Sequence, residues 1–242
     1  FFILAVAGVS IGVGMYKGII DSSPEINIDS IVPQGFATTV YDREGNLTDT
    51  LVTAGSNRDP ATFDELPKDL INAFVAIEDS RFWTHNGIDL RSIARMIKGV
   101  ITGDSSAGGG STITQQLAKN ELFTQDKHLA RKAAEMLAAF DIEKTYSKQQ
   151  IFEMYANTIY FGSGYYGIAE AAEGYFGKEP AQLTDAEAIY LAGMPNAPST
   201  YASSPELAFK RMQVVLKRMV KCRVLTQQQA DAIAADAENL TV

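Results

Sequence analysis

Residues 73–87 read Ala73-Phe74-Val75-Ala76-Ile77-Glu78-Asp79-Ser80-Arg81-Phe82-Trp83-Thr84-His85-Asn86-Gly87 and carry the most informative pattern in the chain. An apolar run ends in two carboxylates, and aromatic side chains and a glycine follow them. A carboxylate held against apolar walls has its charged form disfavoured, which suits a side chain that exchanges protons near neutral pH. Capping or solvation is the simpler role for an acidic pair at a helix end, but the apolar run favours a buried boundary for Glu78. The pattern predicts a helix that ends at a proton-transferring carboxylate.

A glycine-rich loop enters a polar helix start further along the chain, at Gly108-Gly109-Gly110-Ser111-Thr112-Ile113-Thr114-Gln115-Gln116-Leu117-Ala118-Lys119-Asn120. The free N–H groups at a helix N-terminus favour anions, and hydroxyl and amide side chains can hydrogen-bond to sugar hydroxyls. A flexible loop with a serine N-cap is the simpler alternative. We predict a helix start that binds anions and sugars.

A third segment, Arg131-Lys132-Ala133-Ala134-Glu135, combines cations with a carboxylate. Arg131 and Glu135 are spaced so that they share one face of a helix. A surface salt bridge is the simpler alternative, whereas in a cleft the cations would hold a pyrophosphate and Glu135 would orient them. Glu78 and Glu135, with cations between them, suggest chemistry on a glycosidic carbon with an anionic leaving group. A fourth segment, residues 148–167, fits a packing scaffold that walls such a cleft.

Composition and charge exclude several classes of protein. The net charge of −8 argues against nucleic acid as a partner, and a single cysteine, Cys222, rules out an internal disulfide and a cysteine-rich zinc site. Between Glu206 and Asp231 there is no acidic residue, and the cations there are Lys210, Arg211, Lys217, Arg218, Lys221 and Arg223. We favour a solvated helix face for them; a face directed toward an anionic membrane or an anionic substrate is the alternative.

Hydropathy divides the chain into three parts. Residues 1–20 are almost uncharged and close to the roughly 20 apolar residues that cross a bilayer, so we predict a transmembrane anchor; a cleaved signal peptide and a buried core helix are the alternatives. Residues 21–63 are predicted to form a linker with a β-hairpin at 36–52, and residues 64–242 a mainly α-helical domain. The predicted helices are 67–80, 89–103, 111–123, 127–145, 148–158, 166–176, 184–193, 206–222 and 226–237. Capping-box sequences begin three of them, at Ser147, Thr184 and Thr226.

The four segments and the basic helix after residue 206, in this order, resemble the five motifs of the peptidoglycan glycosyltransferase family, glycosyltransferase family 51. This is the transglycosylase domain of class A penicillin-binding proteins and of monofunctional glycosyltransferases. The resemblance spans about residues 64–225 and implies a lysozyme-like, two-lobed helical fold, with a globular lobe, a membrane-embedded jaw near residues 88–110 and a cleft between them. Neither Ser-x-x-Lys nor Lys-Thr-Gly occurs in the sequence, so a transpeptidase module is expected only elsewhere in a longer, two-module protein.

The resemblance implies that the enzyme polymerises lipid II into β-1,4-linked glycan strands, with inversion and release of undecaprenyl pyrophosphate. It makes Glu78 the general base and Glu135 the second catalytic carboxylate, which positions cations or a divalent ion. The residues implied to bind sugar or pyrophosphate oxygens are Lys119, Arg131, Lys132, Ser111, Thr112, Gln115, Gln116 and Asn120. Those implied to support Glu78 are Asp79, Arg81, Phe82, His85 and Gly87. With only two histidines in the chain, His85 is expected to be a hydrogen-bonding scaffold residue rather than a metal ligand.

The resemblance also implies partners and a location. The sequence requires no cofactor and assigns no metal ligand, although Mg²⁺ or Mn²⁺ at the pyrophosphate is compatible with it. The expected partners are lipid II, the growing glycan chain, membrane lipid, and a transpeptidase module or other cell-wall synthesis proteins; the inhibitor moenomycin is expected to bind the cleft. The expected location is the bacterial cell membrane, with one membrane pass and the catalytic domain on the extracytoplasmic side. The alternatives are a lysozyme-like lytic enzyme that cleaves glycan and a non-catalytic, membrane-tethered lipid II-binding scaffold.

Overall fold

The computed structural model describes residues 38–41, 47–51, 60–103, 110–122, 129–237 and 240–242. The predicted anchor at residues 1–20 lies outside these ranges, as does most of the predicted linker. Among the described residues, no helix combines the length and the apolar character needed to cross a bilayer. The described part of the chain is mainly α-helical with small antiparallel sheets, which confirms the predicted fold class at that level.

The described helices are α1 (Lys68–Glu78), α2 (Leu90–Thr102), α3 (Ile113–Leu122), α4 (Leu129–Thr145), α5 (Lys148–Thr158), α6 (Ile168–Phe176), α7 (Asp185–Gly193), α8 (Pro198–Ser203), α9 (Pro205–Lys221) and α10 (Gln227–Ala237). Each predicted helix is present, and its ends lie within about two residues of the predicted ones, the usual uncertainty of helix boundaries. The predicted capping boxes form at the starts of α5, α7 and α10, where each N-cap hydroxyl accepts a backbone N–H and a Gln or Glu side chain returns the contact.

The predicted hairpin is present as strands β1 (Thr38–Tyr41) and β2 (Leu47–Leu51). They pair antiparallel with Thr38 opposite Leu51, and the register shifts by one residue between Val40 and Tyr41. Such a shift is the mark of a β-bulge. The two paired strands confirm the hairpin predicted at 36–52.

Two small elements were not predicted from the sequence. Strands β3 (Tyr160–Gly162) and β4 (Tyr165–Tyr166) form a second hairpin between the predicted helices 148–158 and 166–176, and Tyr166 lies in β4 and not in the second of these helices. Its turn needs positive φ at Gly162, Ser163 and Gly164, so its sequence resembles that of a loop. Helix α8 lies in a proline-rich stretch and begins with Pro198 at its first turn, a position that proline tolerates because its missing N–H is not needed there.

Helix α1 is held in the core and thereby fixes the position of Glu78. It packs against α7 and α9, and its Phe74 side chain is fully buried. The Phe74 ring meets the rings of Phe152, Tyr155 and Phe161 edge-on, with centroids 5.8 to 6.3 Å apart. Aromatic rings packed in this way resist repacking, so the C-terminal end of α1 is a rigid base for a functional side chain.

Candidate active site

A cleft of about 740 Å³ opens at the C-terminal end of α1. Glu78 is the last residue of this helix and lines the cleft. Its Oε2 atom accepts a hydrogen bond of 2.9 Å from Nε2 of Gln116, which lies on the second turn of α3 and also lines the cleft. An amide donor holds a carboxylate in place without neutralising it, so Glu78 keeps its capacity to accept a proton.

Asp79 has a different environment, although it directly follows Glu78. Its side chain is 2% exposed. One of its oxygens, Oδ2, lies 2.7 Å from Nε2 of His85 and accepts the backbone N–H of Ile113 at 3.1 Å. A carboxylate at a helix N-terminus is stabilised by the free N–H groups there. Asp79 is therefore a structural acceptor that joins α1 to α3, and His85 is its hydrogen-bonding partner.

Tyr155 is the neutral neighbour of this acidic pair. Burial, followed by the charges of Glu78 and Asp79, raises the pKa of Tyr155 well above its ordinary value. The phenol therefore stays protonated at physiological pH. Tyr155 does not compete with Glu78 as a proton acceptor, and its ring instead forms part of the packing beneath the end of α1.

Arg81, which the sequence predicts to support Glu78, pairs with another carboxylate, Asp89. It forms an ion pair with Asp89, and its Nε donates to Oδ2 of Asp89 at 3.0 Å. Asp89 is 2% exposed and caps α2 by accepting the backbone N–H groups of Arg91 and Ser92. Arg81 thus connects the turn after Glu78 to the start of α2. Asp89 was missed in the sequence, where an aspartate just before a helical pattern was the available signal.

Gly87 brings the turn after Glu78 close to α4. Its φ of +84° is one that residues with a side chain rarely adopt, and a Cβ there would lie 2.8 Å from the carbonyl oxygen of Ala139. The carbonyl oxygen of Gly87 accepts a 2.6 Å hydrogen bond from Oγ1 of Thr112. A glycine is needed here for both conformation and space, which explains its place in the motif.

Thr112 and Gln115 form a capping box at the start of α3. The Thr112 N–H donates to Oε1 of Gln115 at 3.0 Å, and the Gln115 N–H donates to Oγ1 of Thr112 at 3.1 Å. Both side chains are buried. Gln115 is therefore engaged in helix capping in this structure, whereas the sequence analysis expected it to bind substrate. Of the predicted sugar- and phosphate-binding residues, those that line the cleft are Ser111, Thr112 and Gln116.

Glu135 and Lys132 form a cluster with Ser111. Nζ of Lys132 donates to Oε2 of Glu135 at 2.8 Å and to Oγ of Ser111 at 2.9 Å. Glu135 is buried, whereas the side chain of Lys132 is 45% exposed. This arrangement holds a cation beside a hydroxyl that lines the cleft. Lys119 and Asn120 are exposed on α3 and are not among the residues that line this cleft, and the side chain of Arg131 lies outside the part of the chain described here.

Five cations line the cleft that were not among the substrate-binding residues predicted from the sequence. Arg95 comes from α2, and four come from α9: Arg211, Lys217, Arg218 and Lys221. Lys217 and Lys221 are exposed, as the favoured solvated face predicts, whereas Arg211 and Arg218 are partly buried. All four line the cleft, which fits the anionic-substrate alternative. Lys210 is exposed as well and pairs with Glu206 on the same helix.

Arg218 also acts on the backbone of α1. Its Nε donates to the carbonyl oxygen of Ala76 at 3.1 Å. The last carbonyls of a helix lack partners within the helix, and a cation there is favoured by the helix dipole. Arg218 therefore caps the helix end that carries Glu78, and it joins α9 to the C-terminal end of α1.

The charge balance of the cleft differs from that of the whole chain. Its described lining holds five cations and the carboxylates of Glu78, Asp79 and Asp89. Asp79 and Asp89 are already bound by neighbouring donors. The cleft is thus an electropositive surface around one available carboxylate, although the chain as a whole carries a net charge of −8. Such a site suits an anionic substrate that must lose a proton.

Comparison with known proteins places the chain in a family. The sequence model of the Transglycosylase family matches residues 44–220. Penicillin-binding protein 1F of Bacillus subtilis is 42% identical over 185 residues, which cover 76% of this chain and 26% of that protein. Penicillin-binding protein 1A of Aquifex aeolicus is 42% identical over 217 residues, 89% of this chain and 29% of that protein.

Penicillin-binding protein 1A of Escherichia coli is 37% identical over 246 residues, which cover 99% of this chain and 29% of that protein. The chain therefore spans less than a third of the length of these relatives. The family match covers most of the chain and includes all of the cleft except Lys221. The chain belongs to the Transglycosylase family, glycosyltransferase family 51, whose members are the peptidoglycan glycosyltransferase domains of penicillin-binding proteins.

Proposed function

We propose that this domain polymerises lipid II into β-1,4-linked glycan with Glu78 as the general base. The hydroxyl of the acceptor sugar attacks the anomeric carbon of the donor, the configuration inverts, and undecaprenyl pyrophosphate leaves. One observation carries the proposal: a single available carboxylate lies in a cleft whose walls are rich in cations. A lipid-linked sugar pyrophosphate brings both a hydroxyl to deprotonate and a negative charge to bind.

Glu78 receives the proton in this mechanism because it is the carboxylate that remains accessible. Gln116 fixes its orientation through one oxygen, Oε2, which leaves the other for the acceptor hydroxyl. A positioned general base contributes roughly a hundredfold to ten-thousandfold in rate. Asp79 supports this role indirectly, by holding the start of α3 and hence Gln116 in place.

The leaving pyrophosphate needs no general acid if cations stabilise its charge. Fixed cations at a developing anion are worth several kcal/mol in a water-poor site, to order of magnitude. We assign this role to Lys132, with Lys119 and Arg131 as further candidates, and Glu135 holds Lys132 beside Ser111. The cations of α9 that line the cleft would hold a second phosphate group of the substrate pair.

A divalent cation is compatible with this chemistry. The described residues contain no group of three or more His, Cys, Asp or Glu side chains that would hold a metal. Mg²⁺ is commonly bound through one or two carboxylates and the phosphates of a substrate. In the proposal, such an ion would be carried mainly by the pyrophosphate, and Glu135 is the candidate ligand among the predicted catalytic residues.

We also propose a lipid-facing role for α2, as the jaw of a lysozyme-like, two-lobed fold. Leu90 and Ile101 expose 74% and 78% of their surface, and Met96 is partly exposed between them. Arg91 and Lys98 are exposed on the same helix, and cations beside apolar residues suit an anionic membrane surface. A membrane anchor at residues 1–20, an extracytoplasmic location and a transpeptidase module in the complete protein are parts of the same proposal.

The experiment that tests the function offers the protein two substrates. Lipid II in detergent is incubated with the wild type and with Glu78→Gln, and the products are separated by gel electrophoresis. Preformed glycan strands are incubated in parallel. We expect the wild type to produce glycan that a muramidase specific for β-1,4 links digests, and Glu78→Gln to produce none. Glu206→Gln, which alters an exposed carboxylate on α9, is the matched control and should remain active.

The other outcomes separate the alternatives. Shortening of the preformed strands without new polymer would favour a lytic enzyme. Binding of lipid II without either reaction would favour a scaffold. In both cases the proposed function would be wrong.

A further inference from the structure

Lys148, the first residue of α5, contacts two segments of the site that lie far apart in the sequence. Its Nζ is 2.7 Å from Oε1 of Glu143 and 4.4 Å from the centre of the Phe82 ring. The side chains of Lys148 and Glu143 are only 20% and 7% exposed. A largely buried ammonium placed between a carboxylate and an aromatic face is held by both contacts.

The contact with Glu143 links Lys148 to α3. Oε1 of Glu143 also accepts a 2.6 Å hydrogen bond from Oγ1 of Thr114, which is fully buried in the first turn of α3. Two residues further on, Gln116 donates to Glu78. Lys148 therefore completes a chain of polar contacts that fixes the turn from which Gln116 reaches the catalytic carboxylate.

The contact with Phe82 links Lys148 to the turn after α1. Phe82 is fully buried, and its backbone N–H donates to the carbonyl oxygen of Asp79 at 2.9 Å. The Lys148 ammonium above the Phe82 ring therefore contacts the turn that begins directly after Glu78. The Lys148 side chain therefore contacts the segment that carries the general base, at Phe82. Through Glu143 it is also linked to α3, the helix that orients this base.

We propose that Lys148 is a positioning residue of the glycosyl transfer reaction, which acts by setting the geometry between Glu78 and Gln116. The inference rests on the proposed role of Glu78 as the general base. Removal of the Lys148 charge leaves Glu143 as a buried carboxylate without its cation, and such a group draws in water or turns away. Thr114 then loses a fixed acceptor, and the first turn of α3 is free to shift. Small displacements of catalytic groups reduce the rate of the chemical step more than they reduce substrate binding.

The test compares Lys148→Met, which keeps the length of the side chain but removes its charge, with Lys148→Arg, which keeps the charge. We expect Lys148→Met to lower kcat for lipid II polymerisation by roughly tenfold or more and to change KM by less than about twofold. Lys148→Arg should restore most of the rate. The matched control is Lys144→Met: Lys144 pairs with Asp141 at the same 2.7 Å distance, but with side chains that are 75% and 44% exposed, and its loss should leave both constants unchanged.

A second variant covers the case in which Lys148→Met does not fold. Thr114→Val keeps the shape of the side chain and removes only its hydrogen bond to Glu143, so it should also lower kcat at nearly constant KM. A normal kcat in folded Lys148→Met, or in folded Thr114→Val if the first does not fold, would overturn the inference. A rise in KM at constant kcat would overturn it as well, because it would indicate a substrate contact.

Glu78→Gln in the same assay separates the two proposals. If Glu78→Gln is inactive and Lys148→Met is fully active, the positioning role fails and the proposed function stands. If Glu78→Gln polymerises lipid II at the wild-type rate, the proposed function fails, and the inference about Lys148 fails with it.

Discussion

The carboxylate of Asp79 accepts the backbone N–H of Ile113 at 3.1 Å, and this contact joins the end of α1 to the start of α3. The preceding carboxylate, Glu78, lines the cleft. The two side chains diverge because the backbone leaves helical geometry at Asp79, where φ is −153° and ψ is 76°. One carboxylate of the pair therefore holds the site together, and the other remains available for proton transfer.

Replacement of Asp79 by alanine should reduce stability as well as activity. The Ile113 N–H and the His85 ring would lose their shared acceptor, and hydrogen bonds to a charged group contribute about 1.5–3 kcal/mol each. We expect the free energy of unfolding to fall by about 2–4 kcal/mol, measured by denaturant titration followed by circular dichroism. Asp64→Ala, at an exposed position, is the control. A loss no larger than that of the control would show that Asp79 is not a structural acceptor.

Gly87→Ala should destabilise the protein through a steric clash. The new Cβ would lie 2.8 Å from the carbonyl oxygen of Ala139, whereas at Gly177, where φ is also positive, a Cβ would meet nothing within 4 Å. Gly177→Ala therefore isolates the cost of the backbone conformation, about 1 kcal/mol. We expect Gly87→Ala to cost at least about 1 kcal/mol more in thermal or chemical unfolding. Equal losses for the two variants would contradict the close approach of Gly87 to α4.

The cations of α9 should differ in importance according to whether they line the cleft. Lys217→Ala removes a cation that lines the cleft, and Lys210→Ala removes one that pairs with exposed Glu206. We expect Lys217→Ala to lower kcat/KM for lipid II by roughly tenfold, since about 1.4 kcal/mol of transition-state stabilisation corresponds to that factor. Lys210→Ala should be nearly neutral. Equal effects for the two variants would point to a general attraction by the basic helix and not to contacts within the cleft.

Stability should depend on pH through Glu187 and its partner Lys178. Burial alone would raise the pKa of Glu187, but the Lys178 ammonium and the Thr184 donors outweigh it and hold the pKa below its ordinary value. A group with a lowered pKa in the folded state stabilises the protein above its unfolded value of 4.5 and loses this contribution as pH falls through the folded value. We expect Lys178→Met to cost about 1–2 kcal/mol at pH 7. The difference from the wild type should shrink below pH 4.5; a difference that is constant with pH would contradict the pairing.

Local signals in the sequence accounted for most of the fold. Helices such as α1, α5 and α9 each have an apolar face of their own, and hydroxyl residues mark the starts of α5, α7 and α10. Such signals depend on residues only a few positions apart, so they can be recognised without the tertiary structure. The hairpin of β3 and β4 was not predicted, because its turn depends on a positive φ at Ser163, which is unusual for a residue with a side chain.

The site was only partly predictable, because its decisive contacts join distant segments. Glu78 and the polar start of α3 were recognised, but nothing in the sequence shows that Arg218 reaches the carbonyl of Ala76, 142 residues away. The packing of α9 on α1 turns those cations into the cleft. Gln115 was a different case: the spacing of Thr112 and Gln115 is that of a capping box, and this local signal was available but was overlooked in favour of substrate binding.

The most direct measurement of the central claim is the single-turnover rate at which Glu78→Gln couples lipid II, compared with the wild type over a range of pH. Glutamine has the same shape but cannot accept the proton of the acceptor hydroxyl. We predict that the rate falls by at least about a hundredfold while lipid II binding changes by less than about twofold, and that the acid limb of the wild-type profile disappears. A variant that couples lipid II at the wild-type rate, with the same acid limb, would contradict the role of Glu78 as the general base.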